Sequence, residues 1–232
     1  MNFQILVDFQ LMVNFPKFPK KTKQHMPYVA RMHDGSTMFL VCMCPQGKTE
    51  WKLFFSDGGD WKRATDSGIG VVECNPVARV MDDGTLAVAY TESDGKEQNR
   101  IAKGTLSSNG FNKESTIPSA VGCAYGAEVI TADGMKVAGI DFARYGYDFL
   151  YSVRKFPEGI VVTAHKQDGF DSILIADDGI PRRIVNGKGK SLYKPCCLDG
   201  EWWTVVTFCG NEPELRYVAK ARGVRLEAME VN

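Results

Sequence analysis

Three carboxylates lie among apolar neighbours in a way that suits proton transfer. Glu128 sits in Tyr125-Gly126-Ala127-Glu128-Val129-Ile130, Asp141 follows Gly139-Ile140, and Asp148 sits in Tyr145-Gly146-Tyr147-Asp148-Phe149. Apolar surroundings raise a carboxyl pKa and so favour a general acid. Two such groups about 5 Å apart would suit retaining glycoside hydrolysis, and about 6.5–9.5 Å apart the inverting reaction. Each could equally sit at a strand end, paired and exposed, because nothing in the sequence fixes their mutual distances.

The segment Arg144-Tyr145-Gly146-Tyr147-Asp148-Phe149 is the clearest candidate for binding rather than catalysis. Tyrosines beside glycine give a rigid amphipathic surface that stacks on sugars or on protein. Arg144, Tyr145, Tyr147 and Asp148 are therefore the candidate binding residues, with core packing as the competing role. In Trp202-Trp203, neighbours on one strand point to opposite faces, so at least one belongs to the core.

Other chemistry is poorly served. The seven cysteines include no C-x-x-C pair, and the three histidines (His25, His33, His165) are scattered, so no metal site is expected. Cys42 and Cys44 would share one face of a strand, a spacing that also fits buried thiols. There is no phosphate loop, dinucleotide glycine motif or nucleophile elbow, and no cofactor is expected. The run Asn186-Gly187-Lys188-Gly189-Lys190 reads as a flexible loop between strands.

The chain has 28 Lys+Arg and 28 Asp+Glu, so it offers no field to attract nucleic acid or an acidic membrane surface. Its 44% hydrophobic and 24% charged residues are those of an ordinary folded domain. The apolar N-terminus lacks a basic start and carries Gln4, Asp8, Gln10 and Asn14, unlike a secretory signal. No apolar stretch approaches the ~20 residues of a membrane helix. With free thiols, these features predict a cytoplasmic or virion location.

The elements that must carry these residues are strands. Phe3, Ile5, Val7, Phe9, Leu11, Val13 and Phe15 alternate with mostly polar partners, so residues 1–15 read as a long strand, or two joined by a bend, with one buried face. Residues 16–26 follow as a Pro/Lys connector, in which Lys17, Lys20, Lys21 and Lys23 form a solvated run rather than a polyanion site. Residues 27–232 then repeat a unit of apolar strand, acidic-Gly turn and apolar strand. The turns are Asp34-Gly35, Asp83-Gly84, Asp133-Gly134, Glu158-Gly159 and Asp199-Gly200. Asp-Gly between strands signals a hairpin, because Gly accepts positive φ and Asp tolerates it.

A second turn recurs downstream, at Ser56-Asp57-Gly58-Gly59-Asp60-Trp61, Ser107-Ser108-Asn109-Gly110-Phe111, Asp177-Asp178-Gly179 and Arg222-Gly223. Four strands in roughly 40–50 residues is the size of a propeller blade. The expected fold is all-β: a β-propeller, with about nineteen or twenty strands in five blades of mostly four antiparallel strands, and the N-terminal strand helping to close the ring. The intervals between turn glycines are 49, 50, 25 and 41 residues. Either the third unit lacks its outer hairpin, or its blade runs on through Tyr147–Ala164. A sandwich or a pair of stacked sheets is the alternative.

At Ser56, Asp57, Gly58, Gly59 and Trp61, and again at Ser107, Asn109, Gly110 and Phe111, the chain resembles the sialidase-like propellers with Asp-box repeats. That resemblance implies a box in the turn between the outer two strands of a blade. It also implies a substrate site with an arginine cluster and a tyrosine nucleophile backed by a glutamate. The chain departs from this: the Ser56–Trp61 spacing is tighter than the family's box. Arg31 and Arg79 stand four and five residues before their turn glycines, on opposite faces, so the cluster does not assemble. The expected function is thus a non-catalytic binding or assembly module recognising a glycan or protein surface. A phage structural component is one setting, on fold analogy, with assembly into an oligomer or larger particle left open. A glycoside hydrolase using Glu128, Asp141 and Asp148 is the alternative.

Overall fold

The computed structural model of the protein describes residues 9–11, 22–45, 52–56, 62–63, 76–93, 99–107, 110–118, 134–208 and 215–231. Nineteen strands run through them. β1 (Phe9–Leu11) comes first. β2 (Thr22–Arg31), β3 (Thr37–Pro45), β4 (Lys52–Ser56) and β5 (Lys62–Arg63) form one sheet in that order, and β6 (Val77–Val80), β7 (Leu86–Ser93), β8 (Asn99–Ser107) and β9 (Gly110–Pro118) the next. A ribbon of β10 (Lys136–Val137) and β11 (Ile140–Asp141) leads into a single 3-10 turn, Phe142–Tyr145. β12 (Phe149–Phe156), β13 (Gly159–Lys166), β14 (Gly169–Ile175) and β15 (Pro181–Val185) make a third sheet. The fourth has β16 (Cys196–Leu198), β17 (Glu201–Phe208) and β18 (Leu215–Ala221), and β19 (Arg225–Ala228) is the last strand.

The protein is therefore all-β, a propeller whose described residues make four blades rather than the five expected. The first strand of each blade (β2, β6, β12, β16) lies innermost, and residues at the ends of all four line one cavity. Four of the five acidic-Gly turns are the hairpins that follow these inner strands. The fifth, at Gly134, precedes the β10–β11 ribbon instead. The apolar strand expected to follow the Asp133-Gly134 turn is broken within Met135–Ile140, because Ala138 (φ 50°) and Gly139 (φ 79°) make a two-residue turn with both residues left-handed. The short interval thus marks an insertion between the second and third blades, and the third blade begins at Phe149.

The strand β2 starts at Thr22, within the expected 16–26 connector, and pairs there with Pro45 of β3. The N-terminal strand is described at Phe9–Leu11, where it pairs antiparallel with β18 as the outer edge of the fourth sheet. Past Gly223 the chain does not fold back as a hairpin on β18. β19 crosses to β15 and becomes the fifth strand of the third sheet, with Leu226 opposite Ile184.

Burial follows the strand composition. Leu40, Leu53, Leu86, Ile101, Val153, Val161 and Ile173 are sealed within or between blades, each burial stabilising by about 1.5–3 kcal/mol. Aromatic rings join blades: Phe39 meets Trp203 edge-on at 5.9 Å, tying the first to the fourth. Trp203 is the buried member of its pair, and Trp202 is half-buried. Gly159 is required by its site, since a Cβ there would lie 2.3 Å from the Ile175 carbonyl oxygen, at φ 136°. No helix among the described residues is long and apolar enough to cross a membrane.

Candidate functional site

Matching hydrogen bonds build the rim of the axial cavity. In the first blade Gly35 N–H donates to the Met32 carbonyl (3.0 Å) and Met32 N–H to that of Ser36 (2.9 Å); in the second, Gly84 donates to Met81 and Met81 to Thr85 (both 2.8 Å). The turn aspartates accept from the residue two places on, Asp34 from Ser36 N–H at 2.8 Å and Asp83 from Thr85 N–H at 2.9 Å. Hydrogen bonds from the Ser36 and Thr85 side chains, then from their backbones, hold both carboxyls below the usual carboxylate range. Asp-Gly is used here for two reasons: Gly supplies the positive φ and Asp closes the turn with its own side chain.

Adjacent turns are joined across blades. His33 Nε2 bonds to the Met81 carbonyl at 2.9 Å, Arg31 Nε donates to Asp199 Oδ2 at 3.1 Å, and Gly200 N–H donates to Glu158 Oε1 at 3.3 Å. Together they frame a funnel of about 370 Å³. Its wall includes Val29, Val77, Phe156 and Leu198, and its charged residues are Arg31, Arg79, Lys155 and Asp199. Among the lining residues three cations thus stand against one carboxylate; that of Glu158 lies just outside the lining, where it accepts from Gly200 N–H, and Arg31 already engages Asp199. That pair is well exposed and worth at most about 1 kcal/mol. Arg79 Nη2 reaches only the Met81 thioether, at 3.8 Å, and among the described residues no carboxylate pairs with it.

The floor is a ring stack across the axis. Tyr28 of the first blade lies 5.3 Å from Phe156 of the third, their planes 16° apart, and its hydroxyl donates to the Ala78 carbonyl of the second at 2.7 Å. Burial, and next the nearby Cys196 thiol, push the Tyr28 phenol up to about 12. Beneath the stack Arg154 is fully enclosed, donating to the carbonyls of Lys194 (2.9 Å) and Pro195 (2.6 Å) with its guanidinium 5.1 Å from the Phe156 ring. Burial drives the Cys196 thiol up to about 12, and burial with the Glu158 carboxylate drives Cys197 up as well. Phenol and thiols are therefore neutral near pH 7, poor nucleophiles by construction. The funnel is suited to holding an anionic group over an apolar floor.

The residues singled out in the sequence lie elsewhere. Asp141 caps the 3-10 turn, accepting from Ala143 N–H at 3.1 Å. Arg144 is exposed on that turn, and Tyr145 is half-buried against Phe142. Tyr147 is buried, not a stacking surface: its hydroxyl donates to Asp171 Oδ2 at 2.8 Å, and burial and that bond raise its pKa. Asp148 is exposed and bonds His165 Nδ1 at 2.6 Å. Glu128 lies outside the described residues, as do Asp57–Trp61 of the Asp-box-like turn, which would join β4 to β5.

Sequence reasoning missed Lys155 and Asp199, and it set Arg31 and Arg79 apart. The turn bonds do equate Arg31 with Val80, as the glycine spacing implied. Both arginines still line the funnel, because an innermost strand has no sheet partner on its axial edge and both its faces reach the rim. The usable signal was position: each of these residues stands within five residues of a turn glycine. Fold and site together define a β-propeller with an axial, cation-rimmed cavity. Comparison of the sequence with family models returns no match, and comparison with curated proteins returns no relative.

Proposed function

We propose that this propeller is a binding module whose axial funnel holds the carboxylate of an acidic glycan. The observation that carries this is Arg79, a guanidinium at the rim of an apolar-floored cavity that no carboxylate pairs with among the described residues. In a chain of balanced charge, local excess positive charge selects an anion, and arginine grips a carboxylate in two parallel hydrogen bonds. The neutral Tyr28, Cys196 and Cys197 favour binding over covalent catalysis.

The test is calorimetric titration with uronate and sialyl oligosaccharides, beside their neutral counterparts. Acidic glycans should bind, with affinity falling as salt rises, and Arg79→Ser should weaken them at least tenfold (about 1.4 kcal/mol). Equal affinity for neutral and acidic sugars at this site, or an indifferent Arg79→Ser, would overturn the reading. Hydrolysis of aryl-glycosides would favour the hydrolase instead.

A further inference from the structure

A second set of side chains lies at the far end of the third blade. β12 runs from Phe149 to Phe156, and seven strand steps of about 3.3 Å put Phe149 roughly 23 Å from the funnel floor. There the rings of Phe149, Tyr151, Phe170 and Tyr193 follow one another edge to face, with centroids 6.4, 5.3 and 6.3 Å apart. His165 extends the row, 5.0 Å from Phe170. Lys194, fully buried, sets its ammonium 3.3 Å from the Tyr151 ring centroid and 5.2 Å from that of Tyr193. Such a cation fixes rings that would otherwise turn, so the surface is organised before any ligand arrives.

We infer that this row is a site for a neutral sugar, stacked on Phe149 and Phe170 and hydrogen-bonded by Asp148 and His165. Phe149 and Phe170 are 45% and 38% exposed, which at roughly 200 Å² per ring side chain comes to on the order of 170 Å². A stable protein interface needs about 800 Å² per partner, so the patch is too small for one. It matches the apolar face of one or two sugar rings.

The polar pair beside the rings separates a sugar from a purely apolar ligand. Asp148 Oδ1 and His165 Nδ1 engage each other, and both side chains remain partly open, at 60% and 37%. Asp148 Oδ2 is left to accept and His165 Nε2 to exchange a hydrogen bond outward, the complement of a sugar's vicinal hydroxyls. The site needs nothing from the funnel, and its ligand carries no charge.

Saturation-transfer NMR with chitotriose, cellotetraose and maltotetraose tests the inference. At least one should receive saturation on its ring C–H protons. Phe149→Ala and Phe170→Ala should each weaken that binding at least tenfold, and Arg79→Ser should leave it unchanged. Phe149 is the better-exposed ring, so a folded Phe149→Ala keeps the test valid should Phe170→Ala fail to fold. Absence of transfer to all three sugars would overturn the inference, as would transfer indifferent to both phenylalanine variants or abolished by Arg79→Ser. Concentration-dependent self-association relieved by Phe149→Ala, without sugar binding, would overturn it too.

Discussion

The two ends of β12 differ in how they are made. At Phe156 the strand meets its counterparts from the other blades, and ring stacking, hydrogen bonds and an ion pair knit the turns into a rim. At Phe149 the aromatic row is contributed by the third blade and by Tyr193 and Lys194, which lead into β16. The first end is built from equivalent positions of the repeat, the second from residues that occur once. A repeat supplies a scaffold with a shared axis, whereas specificity enters where the repeat is interrupted. Damage should accordingly spread from one end and stay local at the other.

The strongest test of that contrast is Phe156→Ala, which removes half of the floor stack. It should cost about 3–5 kcal/mol in urea denaturation, while Phe149→Ala should cost under about 1 kcal/mol. Equal costs would erase the distinction between a shared and a local end.

A second test uses the buried thiol at the axis. Cys196 titrates near 9 when unfolded and is pushed up to about 12 when folded. Between those values the folded protein keeps a proton that the unfolded chain has lost, so stability is full below pH 9 and falls above it. The loss from this group should come to about 1 kcal/mol between pH 9 and pH 10 and grow further above that. Cys196→Ala should make the profile of denaturation midpoints shallower in that window, with Cys197 supplying the remaining slope, and an unchanged profile would place the thiol in a wetter site.

Smaller still is the rim itself. Gly84 stands at φ 80° with open space around its Cα, so Gly84→Ala should cost about 1 kcal/mol, purely in backbone strain. Arg79→Ser should change stability by less than about 0.5 kcal/mol while removing acidic-glycan binding. A large stability loss there would mean that the arginine holds the ring together rather than a ligand.

Much of this architecture is visible in the residues. Asp34-Gly35, Asp83-Gly84, Glu158-Gly159 and Asp199-Gly200 announce the inner hairpins, because each turn needs a glycine at positive φ, and in the first two the aspartate also serves as a short acceptor. The fifth turn misleads, since Met135–Ile140 reads as one apolar strand and an alanine at φ 50° leaves no mark in composition. The course of β19 is equally hidden: pairing with β15 depends on how two blades sit together, not on either strand's pattern. For the site, Asp148 is exposed beside the sugar-binding candidate, but Tyr147 turns inward because Asp171, distant in sequence, waits for its hydroxyl. The funnel's cations were legible as residues and not as a set, since only closure of the ring brings Arg31, Arg79, Lys155 and Asp199 to one mouth.

The crossing of β19 also sets a timetable. On a ribosome the fourth blade can complete itself once residue 221 has emerged, because its outer strand, Phe9–Leu11, is made before any other strand of that blade. The third blade, synthesised earlier, must wait for Arg225–Ala228 before its outer strand arrives. The nascent chain therefore carries an open sheet edge on β15 until Arg225–Ala228 emerges, and that strand latches the edge shut only after the strands of the fourth blade have been made.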